Sequence, residues 1–191
     1  MRTAVDHYYD TINSYVGNAR DVKKADKHMD GFINIFKNAV DTKELKIKEK
    51  QKALISGAFL NKRWDLACKN SVLELKSIVL SKMGKCFSNR VEEAIGVAVD
   101  LRQGTKGMKL NYFLVVEDDG KTDKVKYQRK VDKLVGFCKY LEKDLKLYDN
   151  VGCILLGVDR NYTFLYSDLN TFVGNWEREI SKKRWQFWKL W

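Results

Sequence analysis

The stretch KRWDLACKNSVLELKS, residues 62–77, decides how the chain is read. It holds most of two apolar runs, 64–68 and 72–80, divided by the polar pair Lys69 and Asn70. Each run carries an acid: Asp65 between Trp64 and Leu66, Glu74 between Leu73 and Leu75. Acids rarely enter apolar strands without a partner, because an uncompensated charge is costly to desolvate. Reading Lys69 and Asn70 as a two-residue hairpin turn fixes the register by counting. Cys68 then faces Ser71, Ala67 faces Val72, Leu66 faces Leu73, and Asp65 faces Glu74. Opposed side chains share a sheet face with Cβ atoms about 4.5–5.5 Å apart. The strand period of two also places Lys76 on the face of Glu74, one diagonal step from Asp65.

Two carboxylates and one ammonium are thus expected to converge. The acids would repel unless a cation lies between them, and the arrangement suits Mg²⁺, a hard ion often held by one or two carboxylates plus substrate phosphate. Such an ion can orient and acidify a water and stabilise a leaving oxygen, and a neighbouring lysine can stabilise added negative charge. The plainer alternative is a surface hairpin on which Asp65, Glu74 and Lys76 are solvated. The buried-type residues Trp64, Leu66, Leu73 and Leu75 around the acids argue against it.

The chain of 191 residues is read as one domain with a sizeable core, since 45% of its residues are hydrophobic and 12% aromatic. No apolar run reaches the roughly 18 residues of a membrane span, and the N-terminal sequence has no apolar signal segment. The expectation is a cytoplasmic protein of prokaryotic or phage-like context, without a membrane partner. Four scattered cysteines without a Cys-x-x-Cys pair read as reduced thiols. With 36 Lys and Arg against 25 Asp and Glu, the net charge of +11 favours a polyanionic partner such as nucleic acid. A lysine-rich protein with no such partner is the bland alternative.

The chain contains no proline, so boundaries rest on glycine, asparagine and charge. Val5, Tyr8, Tyr9, Ile12, Tyr15 and Val16 recur at helical spacing, as do Met29, Phe32, Ile33, Phe36 and Ala39. A third, lysine-rich helix is expected over 44–55. Strands follow at 64–68 and 72–80. A helix is expected to open at Asn89, with Glu92 completing a capping box. A strand at 112–116, a long helix through Val131, Leu134, Cys138 and Leu145, strands at 153–158 and 162–166, and a helical tail complete the pattern. The fold class is α/β (α+β), a central mixed sheet flanked by helices. The expected division is a helical N-terminal region over residues 1–56, a catalytic α/β core over 57–168 and a C-terminal helix over 169–191.

With those residues in view, the chain resembles the PD-(D/E)xK nucleases, and more narrowly the XhoI-type family of type II restriction endonucleases. The resemblance runs from Gly57 to Arg102. It rests on Trp64-Asp65-Leu66, on Glu74-Leu75-Lys76-Ser77, and on the more specific Asn89-Arg90-Val91-Glu92-Glu93-Ala94. Trp64 stands where the superfamily's name has proline, and the loop between Ser77 and Asn89 lacks a fuller glycine- and asparagine-rich run. The resemblance implies that Asp65 and Glu74 ligate Mg²⁺ and that Lys76 is the catalytic lysine. It further implies hydrolysis of double-stranded DNA at a specific, palindromic site by a homodimer, paired with a protecting DNA methyltransferase.

Other residues are weaker candidates. Glu44 and Glu93 are possible supporting acids, each with a solvated or capping role as its alternative. Asn89 and Arg90, at the expected helix start, and Lys82 and Lys85, in the preceding loop, are candidates for DNA contact. Glu117, Asp118 and Asp119 read as a turn, and Gly120-Lys121-Thr122 lacks the earlier glycine of a phosphate-binding loop. Trp185, Trp188 and Trp191 suit base stacking, minor-groove insertion, subunit contact or simple docking on the core. Two other functions stay open: a structure-selective repair or recombination nuclease of the same fold, and a non-catalytic nucleic-acid-binding protein.

Overall fold

A computed structural model describes residues 1–14, 27–40, 48–49, 53–68 and 70–187. Helix α1 (Arg2–Asn13) comes first, and a 3₁₀ turn at Lys27–Met29 leads into α2 (Asp30–Val40). Both bury the faces their spacing defines: Val5, Tyr8 and Tyr9 on α1, and Phe32 and Phe36 on α2. The helix expected over 44–55 is corrected by the structure. The described residues there are strands, β1 (Lys48–Glu49) and β2 (Leu54–Ser56). The reason is visible in the pattern, since Ala53 is buried, Leu54 exposed and Ile55 half-buried, an alternation of period two.

Strand β3 (Asn61–Arg63) pairs antiparallel with β2 in a separate two-stranded sheet. Strands β4 (Leu66–Cys68) and β5 (Ser71–Val79) form the expected hairpin in the expected register, with Leu66 opposite Leu73, Ala67 opposite Val72 and Cys68 opposite Ser71. Strand β6 (Lys109–Glu117) lies parallel to β5, and β7 (Asn150–Leu156) parallel to β6. Strand β8 (Tyr162–Tyr166) closes the far edge antiparallel to β7. Among the described residues the main sheet runs β1-β4-β5-β6-β7-β8.

The parallel centre dictates the layers. Helix α3 (Met83–Gly104) connects β5 to β6, and α4 (Lys124–Lys139), followed by a π turn at Tyr140–Asp144, connects β6 to β7. The strands advance in one direction, so crossovers of one hand place both helices on one face. Ala94, Ala98, Leu101, Leu134 and Phe137 pack there on Val72, Tyr112, Leu114 and Val116. The other face, with Leu73, Leu75, Phe113 and Val115, is covered by α1, α2 and the closing helix α5 (Leu169–Phe187).

Buried polar groups tie this second layer together. Trp176 Nε1 donates to Ser71 Oγ at 2.7 Å, and Asn111 Nδ2 donates to the same oxygen at 2.9 Å and to the Val72 carbonyl at 2.9 Å. Gly152 lets the rings of Phe113 and Phe172 close over β7, where a Cβ would run into the Phe113 ring.

Helix α3 begins at Met83, which corrects the expected start at Asn89. Met83 and Phe87 are buried and extend the series Val91, Ala94, Ala98 and Leu101 backward by two turns. An apolar face that continues N-terminally outweighs a capping-box pattern, because burial stabilises a helix more than one cap does. Asn89 therefore lies inside the helix, where its backbone offers no free N–H groups to a phosphate.

Candidate active site

The alternation of β5 builds the site. Leu73 and Leu75 point into the layer of α1, α2 and α5, whereas Val72, Glu74, Lys76 and Ile78 point towards α3. Glu74 is only 3% exposed, deep in the sheet beside Tyr112, its parallel partner on β6. Two lysines meet the same Glu74 oxygen. Lys76 Nζ lies 2.6 Å and Lys62 Nζ 2.8 Å from Oε1. The other oxygen, Oε2, is buried with no hydrogen-bond partner among the described residues.

Asp65 sits one position beyond the last paired residue, Leu66, so the β4–β5 ladder stops short of the expected Asp65–Glu74 pair. Its Oδ2 instead accepts the Leu75 N–H at 2.7 Å, which fixes the carboxylate against the strand segment between Glu74 and Lys76. Glu93 reaches down from α3. Its Oε1 lies 2.7 Å from Lys76 Nζ, and its Oε2 accepts from Arg90 at 2.6 Å. Tyr148 anchors the helix above by donating to the Ala94 carbonyl at 3.0 Å.

The electrostatics keep the site ionic. Burial pulls the Lys76 ammonium down, but Glu74 and Glu93 outweigh it and hold the group above the ordinary lysine value. Burial pushes Glu93 up, yet the hydrogen bond and charge of Lys76, with Arg90, bring it below the ordinary carboxylate value. Lys76 is thus a fixed cation at neutral pH, suited to stabilising negative charge and not to abstracting a proton. Lys62, Lys76 and Arg90 set three cations against Glu74 and Glu93 around a small cleft that also includes Tyr112 and Tyr148.

The structure brings together Glu74, Lys76, Glu93 and Arg90, and holds Asp65 just before the adjoining strand β4. It does not bring in Asn89, which is exposed on α3, or Lys82, which is exposed at the start of that helix. Glu44, the side chains of Lys85 and Trp185, and the residues Trp188 and Trp191 lie outside what is described. Asp118 and Asp119 form a turn, as expected, with Gly120 N–H on Asp118 at 3.0 Å and Ser81 on Asp119 at 2.6 Å. None of the four cysteines is in a disulfide; Cys86 is exposed and the other three are buried.

Among the described residues no group of three or more His, Cys, Asp or Glu is placed to hold a metal. Sequence reasoning missed Lys62. It belongs to a different hairpin, and no strand register links it to Glu74; the one signal was its place two residues before Trp64, where the resembling family carries a lysine. Tyr112 was read only as strand.

The family "Restriction endonuclease XhoI" matches residues 13–163, and the chain belongs to that family. It is 33% identical over 111 residues to the type II restriction enzyme XhoI of Xanthomonas vasicola. That match covers 48% of this chain and 45% of the relative, so the chain spans less than half of the relative's length. No solved structure matches. Among the described residues no helix is long and apolar enough to cross a membrane.

Proposed function

We propose that the protein is a type II restriction endonuclease of the PD-(D/E)xK kind, a Mg²⁺-dependent hydrolase of phosphodiester bonds in duplex DNA. In this reading it acts on a specific, palindromic sequence, as a cytoplasmic homodimer paired with a DNA methyltransferase. Residues 1–191 form one nuclease unit with 57–168 as its catalytic core. Family membership supports the activity. The observation that carries the site is the buried Glu74, with Oε1 held by Lys76 and Lys62 and Oε2 without a partner among the described residues.

A buried carboxylate oxygen lacking a donor fits a hard cation, and both available acids offer oxygen only, the donor that Mg²⁺ prefers. Asp65 and Glu74 would hold the ion, which supplies activation of a water and charge neutralisation at the leaving oxygen. Lys76 holds its proton under Glu74 and Glu93 and faces the negative charge that grows on the phosphoryl oxygens. Arg90, Lys62 and Lys76 draw a phosphate into the cleft. In the net reaction the water oxygen forms a new bond to phosphorus, the ester bond to the leaving sugar oxygen breaks, and that oxygen takes up a proton.

The test is digestion of unmethylated phage DNA in Mg²⁺ and in EDTA, with a Glu74→Ala variant beside the wild type. Discrete fragments from the wild type in Mg²⁺ alone support the whole reading. A smear lost in the variant keeps the nuclease and selects the structure-directed alternative. Binding without cutting selects the non-catalytic one.

A further inference from the structure

Two hairpins meet at the site, and the catalytic reading uses only one side chain of the second. Strands β2 and β3 end in a tip, residues 57–60, with large apolar side chains facing outward. Phe59 is 85% exposed, Leu60 58% and, at the start of β2, Leu54 55%. Clustered apolar exposure of this kind marks a surface built to be covered.

The tip is also held in place. The Phe59 N–H donates to Asp100 Oδ1 at 2.8 Å, and the Ala58 N–H to the Asp100 carbonyl at 3.1 Å. The Gly57 N–H donates to the Leu60 carbonyl at 2.7 Å, and Thr105 Oγ1 to the Ser56 carbonyl at 3.0 Å. Gly104 brings α3 against the tip backbone to backbone, for a Cβ there would run into Gly57. An aromatic ring fixed by its own main chain and left in solvent is arranged for a contact rather than merely uncovered.

The remaining side chains say what that contact is. Asn61 and Arg63 are exposed on β3, and Lys62 between them turns inward to Glu74 at 2.8 Å. One rigid element therefore carries an apolar tip, an outward cation, and a lysine inside the candidate active site. The three residues from Lys62 to Phe59 span at most about 10 Å of backbone, a length comparable to the groove widths of duplex DNA, about 6–12 Å. A duplex with a phosphate at Glu74 lies within reach of the tip.

We propose that the β2–β3 hairpin is a DNA-docking element, with Phe59, backed by Leu60, entering a groove as an apolar wedge against a base step while Arg63 meets the backbone. Such wedges unstack and bend DNA in other architectures. The proposal rests on the nuclease reading for the position of the duplex. A second copy of the chain is the disfavoured occupant, because both copies carry a net charge of +11 and each tip is flanked by cations.

The test uses the full chain with p-benzoylphenylalanine in place of Phe59, irradiated with a fluorescently labelled fragment of unmethylated phage DNA in Ca²⁺. Alongside it, Phe59→Ala is assayed for binding to the same fragment. The expected result is a protein–DNA adduct, and at least tenfold weaker binding by Phe59→Ala with an unchanged melting temperature. Adducts only between two protein copies, or no adduct together with wild-type binding, would overturn the proposal. A wild type that cuts no DNA yet gives the DNA adduct would remove the nuclease reading and leave the hairpin's role standing.

Discussion

At the scale of single residues, Glu74 is a buried charge held on one side by two lysines. A carboxylate at 3% exposure is tolerable because two ammonium groups share one of its oxygens. Removing one partner of a buried pair costs roughly 3–5 kcal/mol, and less where a second partner remains. Lys62→Met is therefore expected to lower stability by about 1–3 kcal/mol in urea unfolding. If the nuclease reading holds, it also lowers the Mg²⁺ concentration for half-maximal cleavage, since one competing cation has left the carboxylate; a rise would count against that role.

The pH dependence has a definite sign. Lys76 is raised, so its contribution is complete below the unfolded lysine value and is lost as pH rises through the higher folded value. Glu93 is lowered, so its contribution is present above the unfolded carboxylate value and is lost as pH falls through the lower folded one. The stability difference between wild type and Lys76→Met should be flat near neutrality and shrink on the acid side below about pH 4. An unchanged difference at pH 3 would mean that the pair carries no folding energy.

At the scale of elements, the sequence was most legible where a period had to be satisfied. The β4–β5 register followed from counting outward from Lys69-Asn70 read as a two-residue turn, and Leu66, Ala67 and Cys68 pair as that count requires. The same period placed Glu74 and Lys76 together, and they meet at 2.6 Å. Lys62 was illegible because its contact is set by how a separate hairpin packs, and no local period encodes that. The start of α3 was misplaced because a capping pattern at Asn89 is local, whereas the burial of Met83 and Phe87 depends on the sheet beneath. The strands at 48–49 and 54–56 were hidden by lysines, which read as a solvated helix until pairing partners are known.

Packing sets two expectations at this scale. Ser71→Ala removes the acceptor shared by Trp176 and Asn111, strands the Trp176 N–H in the core while Asn111 keeps the Val72 carbonyl, and is expected to cost about 1–3 kcal/mol by urea unfolding. Gly104→Ala forces α3 and the β2–β3 tip apart at Gly57. It should lower the melting temperature and weaken binding to phage DNA in Ca²⁺; a variant with wild-type values for both would mean that the tip adjusts freely.

At the scale of the whole molecule, charge and architecture serve the same end. The parallel strands send α3 and α4 to one face, where α3 brings Glu93 and Arg90 to the Glu74–Lys76 pair of β5. Lys62, Lys76 and Arg90 line that cleft, in a chain whose net charge is +11. Binding to duplex DNA in Ca²⁺ should therefore fall at least about tenfold between 50 and 200 mM salt, as counterion release requires when several phosphates are neutralised. A salt-independent affinity would exclude backbone contact as its main source.

The most direct test is single-turnover cleavage of unmethylated phage DNA by Lys76→Met, with binding measured on the same DNA in Ca²⁺. If Lys76 stabilises charge on the reacting phosphate, cleavage falls about 100-fold or more, while binding stays within about sixfold, the effect of losing one phosphate contact near 0.15 M salt. Cleavage at the wild-type rate by a folded variant would contradict this, and would make the Glu74–Lys76 pair a structural ion pair alone.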